Sequence, residues 1–141
     1  MTINCKGTLV DISSPKVMGV LNITPDSFFD GGRYKNDTQI LSQVEKMLTE
    51  GATFIDVGAY SSKPGAIHIS EDEELKRIVP VIDLLLKNFP EIILSIDTFR
   101  SKVAQETIHT GAAIINDISG GKMDNDMFAT CLLYTSDAAD E

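Results

Sequence analysis

Four short apolar segments of the chain each end in a carboxylate or a carboxamide. The four residues are Asn22, Asp56, Asp97 and Asn116. An ionised carboxylate can accept two parallel N–H bonds at once, as it does from a guanidinium group, and a carboxamide can donate and accept together. A single polar residue at a strand end is usually a turn former or a helix cap, but four in equivalent positions favour a shared binding site.

These residues follow predicted strands that alternate with predicted helices. Apolar, β-branched runs predict the strands, and apolar residues at helical spacing predict the helices. The alternation with short links predicts an α/β fold whose parallel strands end together at one face. The predicted strands cover residues 17–21, 53–57, 92–96 and 113–115, and the predicted helices cover residues 38–50, 100–110, a segment capped by Ser70 with Glu73 and one starting near Asp124.

A polar loop, residues 24–32, comes directly after the first strand and Asn22. Its Thr, Pro, Asp, Ser and Gly residues favour turns and open backbone. Phe28 and Phe29 lie inside this loop, with no strand or helix period to explain them. A loop that keeps two large apolar rings is typical of one that closes over a ligand.

The stretch that begins at Asn22 closely resembles the first signature of the dihydropteroate synthase family of pterin-binding enzymes. That family has Asn-hydrophobic-Thr-Pro-Asp-Ser-Phe followed by Asp-Gly-Gly, and residues 22–28 and 30–32 match both parts. A match of this length and unusual composition is far more specific than a lone glycine motif. The resemblance implies that a pterin diphosphate is condensed with p-aminobenzoate, and that diphosphate is released with the help of Mg²⁺.

The resemblance also implies roles for individual side chains. Asp97 and Asn116 take the positions of the family's pterin-binding carboxylate and carboxamide, and Asn22 takes that of a ligand to Mg²⁺. Residues 61–66 resemble the family's Ser-Thr-Arg-Pro-Gly-Ala loop, which closes over the site and shapes the p-aminobenzoate pocket. The expected catalytic residues are Asp30 and Asp97, and the expected substrate-binding residues are Ser62, Lys63, Pro64, Asp97 and Asn116.

Some positions depart from the family pattern or stay open. Lys63 replaces an arginine, which keeps the charge but loses the planar fork of donors. Ala59 and Tyr60 stand where Gly-Glu is common in the family. For Asp56 the residue type leaves open whether it orients the backbone or contacts the ligand, whereas Asp117 is interpreted as structural.

The resemblance implies a (β/α)8 barrel, a fold that needs about 250 residues. The chain has 141 residues, so we expect a partial TIM barrel with roughly the first four βα units and an N-terminal hairpin across Gly7. Residues 1–130 are expected to be the N-terminal half of the pterin-binding barrel domain. Residues 131–141 are expected to be an unrelated or disordered tail, because no helical period or strand alternation is evident there.

The composition argues against several classes of partner and of site. The formal net charge of −9 and the pI of about 4.6 argue against a nucleic acid or an anionic membrane as partner. Cys5 and Cys131 are isolated, so neither a disulfide framework nor a zinc site is indicated. With no long apolar segment or leader evident, the expected location is the cytoplasm.

Two other functions remain open at this point. A corrinoid-type pterin methyltransferase domain shares the Asp and Asn pterin anchors, although it is not expected to carry the motif of residues 24–32. A non-catalytic pterin-binding remnant belongs to a different class altogether. A half barrel leaves edge strands unpaired, so the chain alone is expected to be marginally stable and inactive. The resemblance to the family implies that the full-length parent is a homodimer.

Overall fold

The computed structural model describes residues 1–23, 37–61 and 64–139. An antiparallel hairpin is followed by alternating strands and helices, as the sequence predicts. The elements are β1 (Thr2–Cys5), β2 (Thr8–Asp11), β3 (Val17–Asn22), α1 (Asp37–Thr49), β4 (Ala52–Gly58), α2 (Glu71–Asn88), β5 (Leu94–Asp97), α3 (Ser101–Thr110), β6 (Ile114–Asn116) and α4 (Met127–Ala139).

The strands β3, β4, β5 and β6 form one parallel sheet in that order. Neighbouring strands are consecutive in the chain, which is the order of a barrel; a doubly wound sheet reverses its strand order at a switch point. The prediction of an α/β partial barrel with four βα units is therefore confirmed. One core joins the sheet to its helices and contains Leu21, Ile55, Val57, Leu94 and Ile96 of the strands with Val44, Ile78, Ile82, Leu85 and Val103 of the helices.

The opposite face of the sheet corresponds to the inside of a barrel. On β3 this face carries Val20, which is 58% exposed, two residues before Asn22. At the amino ends of the strands, Phe54 packs with Cys5 and Val10 of the hairpin. The hairpin therefore closes the bottom of the inner face and leaves the carboxyl ends of the strands open, as expected for a site at that end.

Two helix starts show different kinds of capping. Ser70 precedes α2, and its hydroxyl accepts a bond of 3.1 Å from the backbone N–H of Glu73, as predicted. The hydroxyl oxygen of Thr98 accepts a bond of 3.2 Å from the backbone N–H of Arg100, directly before α3. The first N–H of α3, that of Ser101, donates to the carboxylate of Asp124 over 2.7 Å, so a residue far along the chain satisfies the helix.

Helix α4 continues to Ala139, so residues 131–139, which we expected to be an unrelated or disordered tail, are helical. Cys131 Sγ lies 3.8 Å from Met127 Sδ, one helical turn earlier. The ring of Tyr134 packs edge-on against His109 of α3, with 4.7 Å between the ring centroids. Met127, Cys131 and Tyr134 have the spacing i, i+4, i+7, which places them on one side of a helix. In the described part of the chain, no helix has the length and apolar character needed to cross a membrane.

Candidate functional site

The register of the parallel sheet places three of the predicted site residues in one row. Asn22 on β3 pairs with Gly58 on β4, Gly58 with Asp97 on β5, and Asp97 with Asn116 on β6. All four are the last residues of their strands. The row therefore lies along the carboxyl edge of the sheet, where barrel enzymes build their sites.

Gly58 leaves a gap between two of these side chains. A Cβ atom at Gly58 would lie 3.3 Å from Cβ of Asp97 and 3.4 Å from its Oδ2. It would also lie 3.5 Å from Oδ1 of Asn22. The carboxylate and the carboxamide thus flank a position without a side chain, and a ligand can reach both of them.

Asp56 supports Asn116 rather than the backbone at the strand end. It lies two residues before Gly58, so it shares the face of the sheet that carries the row. Only 5% of Asp56 is exposed, and its Oδ2 accepts a bond of 3.2 Å from Nδ2 of Asn116. This bond fixes which end of the Asn116 amide points toward Asp56 and turns the amide oxygen away from it. Among the described residues, Asp56 Oδ1 has no hydrogen-bond partner.

The electrostatics of the site converge on Asp97. Its pKa is raised from 3.8 to about 6, first by burial and then by the negative charges of Asp56 and Asp117. A carboxyl in these surroundings favours its proton or a ligand that donates hydrogen bonds to it. A carboxyl group whose pKa is raised by burial and by neighbouring charges is typical of a functional site.

Asp117 has the structural role that its position predicts. Its Oδ1 accepts bonds of 2.8 Å from the backbone N–H and 2.7 Å from the hydroxyl of Ser119. Its Oδ2 accepts a bond of 2.9 Å from the N–H of Gly121. Both Gly120 and Gly121 have positive φ angles, 61° and 80°, so the carboxylate organises a tight turn directly after the row.

A partly apolar cavity of about 210 Å³ lies beside Asp97. The other lining residues were not predicted as site residues, although the positions of two of them in the sequence could have indicated it. Phe99 and Ile118 each come two residues after a polar strand end, Asp97 and Asn116 respectively. The lining residues are Tyr60, Asp97, Thr98, Phe99, Ile118 and Met123. The cavity combines a carboxylate with aromatic and aliphatic walls, which suits a flat polar ring.

The structure describes only part of the predicted loop residues. Pro64 lies in an exposed turn with Gly65, whose φ is 81°. Asp30, Ser62 and Lys63 lie outside the described residues, as does the motif of residues 24–32. Their expected roles in catalysis and substrate binding stay predictions.

For a metal ion, the described part of the row offers hard oxygen ligands only. In residues 1–23, 37–61 and 64–139 no three His, Cys, Asp or Glu side chains cluster as a cage for a metal. The Asn22 amide oxygen, with the nearby carboxylate of Asp97, fits a cation that takes most of its ligands from elsewhere. Mg²⁺ is such a cation, because it commonly keeps several water ligands and binds substrate phosphates.

The profile of the family described as "Pterin binding enzyme" matches residues 18–136 of this chain. The match therefore continues beyond residue 130, where we expected the family pattern to stop. The chain is 50% identical over 114 residues to a folic acid synthesis protein of Pneumocystis carinii, covering 81% of this chain and 15% of that protein. It is 41% identical over 128 residues to dihydropteroate synthase of Streptococcus pyogenes, covering 91% of this chain and 48% of that enzyme.

The fold of this chain is also similar to solved structures of dihydropteroate synthases. The Yersinia pestis dihydropteroate synthase in a sulfonamide drug complex has a TM-score of 0.77 and 47% identity, covering 86% of this chain and 44% of that chain. The Xanthomonas albilineans dihydropteroate synthase with 4-aminobenzoic acid has a TM-score of 0.82 and 33% identity, covering 92% and 47%. The chain thus spans less than half the length of these relatives.

Proposed function

This chain belongs to the pterin binding enzyme family, and on that premise we propose that it supplies the pterin-binding part of a dihydropteroate synthase. The proposed reaction joins 6-hydroxymethyl-7,8-dihydropterin diphosphate to p-aminobenzoate. A carbon–nitrogen bond forms between the pterin methylene and the aniline nitrogen, and the carbon–oxygen bond to diphosphate breaks. The products are 7,8-dihydropteroate and diphosphate.

The row of Asn22, Asp97 and Asn116 across Gly58 carries this proposal. A pterin presents adjacent N–H groups on one edge, and the Asp97 carboxylate is suited to accept them. Because a bond to Asp56 orients the Asn116 amide, its oxygen is available to a further donor of the same ring. Binding the ring this way holds the methylene carbon in a fixed place while the amine approaches, so catalysis is largely positioning.

Mg²⁺ is part of the proposal, and Asn22 is the residue that would hold it. When bound, the ion would neutralise the charge that develops on the departing diphosphate. The donor chemistry of the site agrees, because Asn22 contributes one neutral hard oxygen and leaves the remaining ligands to the substrate and water. Asn22 would thereby place the diphosphate beside the pterin.

For the second substrate we propose the loop that follows β4. The X. albilineans enzyme was solved with 4-aminobenzoic acid, and we propose that the present protein takes the same aromatic amine. Ser62, Lys63 and Pro64 would line its pocket, and Asp30 would join Asp97 in catalysis. A cytoplasmic location and a homodimeric full-length protein complete the proposal.

The test is formation of dihydropteroate from the pterin diphosphate, p-aminobenzoate and Mg²⁺. Because the chain spans less than half of its relatives, we expect turnover from a longer protein that contains it and none from the 141 residues alone. Asp97→Ala should abolish pterin binding, whereas Asp83→Asn on the exposed side of α2 should leave it unchanged. Pterin binding without turnover in the longer protein would favour a non-catalytic remnant. Turnover only with a methyl donor and a corrinoid would favour the methyltransferase.

A further inference from the structure

A buried carboxylate outside the row has no part in the chemistry proposed above. Glu74 lies on the buried side of α2, one turn before Ile78, and is fully buried. Its Oε2 accepts a bond of 3.1 Å from the hydroxyl of Thr98, the residue directly after Asp97. The same oxygen lies 3.8 Å from Nη1 of Arg100. The carboxylate therefore connects α2 to the segment that follows the pterin-binding strand end.

Arg100 extends this connection to the described residues 59–61 and 64–69 after β4, which we name the second loop. Nη2 of Arg100 donates to the carbonyl oxygen of Ile69 over 2.8 Å. The guanidinium group also lies over the ring of Tyr60, 5.4 Å from its centroid. Tyr60 is near the start of the second loop and Ile69 is at its end, so one side chain holds both ends of the loop.

Aromatic contacts bring Tyr60, Phe99 and Arg100 together in one cluster, which we name the junction. The ring of Phe99 packs edge-on against Tyr60 with 5.2 Å between centroids, and Arg100 lies 4.9 Å from the Phe99 centroid. The hydroxyl of Tyr60 is hydrogen-bonded to Nδ1 of His68, still within the second loop. Tyr60 and Phe99 also line the cavity beside Asp97. The junction therefore contacts both the second loop and the cavity beside Asp97.

Stability alone does not account for a charge pair in this place. Burial raises the pKa of Glu74, and the charge of Arg100 acts in the opposite direction. Buried ion pairs commonly contribute little net stability, because the cost of removing both charges from water offsets their attraction. Their well-attested use is to select one geometry among several. Here the selected geometry is that of the second loop against the end of β5.

We propose that Arg100, held by Glu74, is a positioning residue that sets both ends of the second loop against the strand end carrying Asp97. This inference rests on the proposed function, because that function gives the second loop and Asp97 a common ligand. Loss of the pair should release the second loop and weaken substrate binding without removing any group that touches the pterin.

The test compares Glu74→Gln, Arg100→Met and the double variant with the unchanged sequence, each in a longer protein that contains this chain. Glu74→Gln keeps an acceptor for Thr98 but leaves Arg100 without its charge partner. The double variant removes both charges, and with them the cost of an unpaired buried charge. It still lacks the bond from Arg100 to Ile69. The control is Glu73→Gln, which breaks the more exposed pair of Glu73 with Arg77 on the same helix.

Hydrogen exchange of residues 64–69 is the main readout and needs no ligand. Loss of one charge-assisted bond corresponds to about a tenfold rise in exchange rate. We expect this rise in both single variants and in the double variant, and no rise in the control. The melting temperature should fall in the single variants and recover in the double variant. The dissociation constant of 6-hydroxymethyl-7,8-dihydropterin diphosphate should rise by a similar factor in all three.

Two results would overturn the inference. In the first, the double variant recovers the exchange protection of the second loop together with its melting temperature, which assigns the pair to stability alone. In the second, the single variants melt earlier but exchange residues 64–69 at the original rate. If the unchanged longer protein binds no pterin diphosphate, the proposed function fails, and the exchange comparison still decides the role of Arg100.

Discussion

Replacing Asp97 by asparagine should stabilise the fold at neutral pH while it removes the pterin anchor. The reason is that the folded protein holds this carboxyl in surroundings that disfavour its charge. Burial, Asp56 and Asp117 raise its pKa from 3.8 to about 6. An asparagine keeps the shape and much of the hydrogen-bonding capacity of the side chain without the charge. A gain in stability at the expense of binding is a recognised signature of a functional site.

The size and sign of the effect follow from proton linkage. Between the unfolded and folded pKa values, the folded state binds more protons than the unfolded chain, so stability falls as the pH rises from about 4 to about 6. The full loss, reached above about pH 7, is about 3 kcal/mol at about 1.36 kcal/mol per pH unit. Partial exposure of Asp97 reduces this figure, and we expect about 2 kcal/mol at pH 7.5.

Urea unfolding of a longer protein that contains this chain, unchanged and with Asp97→Asn, measured between pH 4 and pH 8, tests this reasoning. The free energy of unfolding should differ little between the two near pH 4, and Asp97→Asn should gain about 2 kcal/mol by pH 7.5. Asp83→Asn is the matched control, since it removes the same charge from the exposed side of α2. The reasoning is refuted if Asp97→Asn gains nothing at pH 7.5, or if its gain is the same at pH 4.

Three further predictions follow from the same contacts. The affinity for 6-hydroxymethyl-7,8-dihydropterin diphosphate should fall as the pH drops through about 6, because protonated Asp97 accepts fewer ring N–H bonds. Calorimetric titrations should place the midpoint of this fall at lower pH in Asp56→Asn, because that variant lacks a negative charge that repels ionised Asp97. Gly58→Ala should weaken pterin binding about tenfold or more in the same titration, since its Cβ would lie 3.3 Å from Cβ of Asp97 and fill the gap between Asp97 and Asn22; an unchanged dissociation constant would contradict the geometry of the row. The 141-residue chain alone should be marginally stable and self-associate, because the outer edges of β3 and β6 are unpaired in the described sheet and Val20 is exposed on its inner face; a single cooperative melting transition with monomeric sedimentation would count against this.

Much of the architecture could be predicted because its signals are local. Apolar runs that end in polar residues predicted all four parallel strands, with ends that differ from the structure by one or two residues. The capping box at Ser70 likewise depends on residues three positions apart. The weaker helical spacing of Met127, Cys131 and Tyr134 was overlooked, because the polar residues that follow them obscure the period.

The amino-acid sequence by itself determined which residues end the strands, and therefore that Asn22, Asp97 and Asn116 would meet at one edge of a parallel sheet. Only the tertiary structure decided what surrounds them. The bond from Asn116 to Asp56 joins residues 60 positions apart, and the cap of α3 by Asp124 bridges 23 positions. The raised pKa of Asp97 and the burial of Glu74 likewise depend on charges and packing from several elements. Periodicity and propensity report interactions within one or two helical turns or along one strand, whereas register and burial arise when distant segments pack.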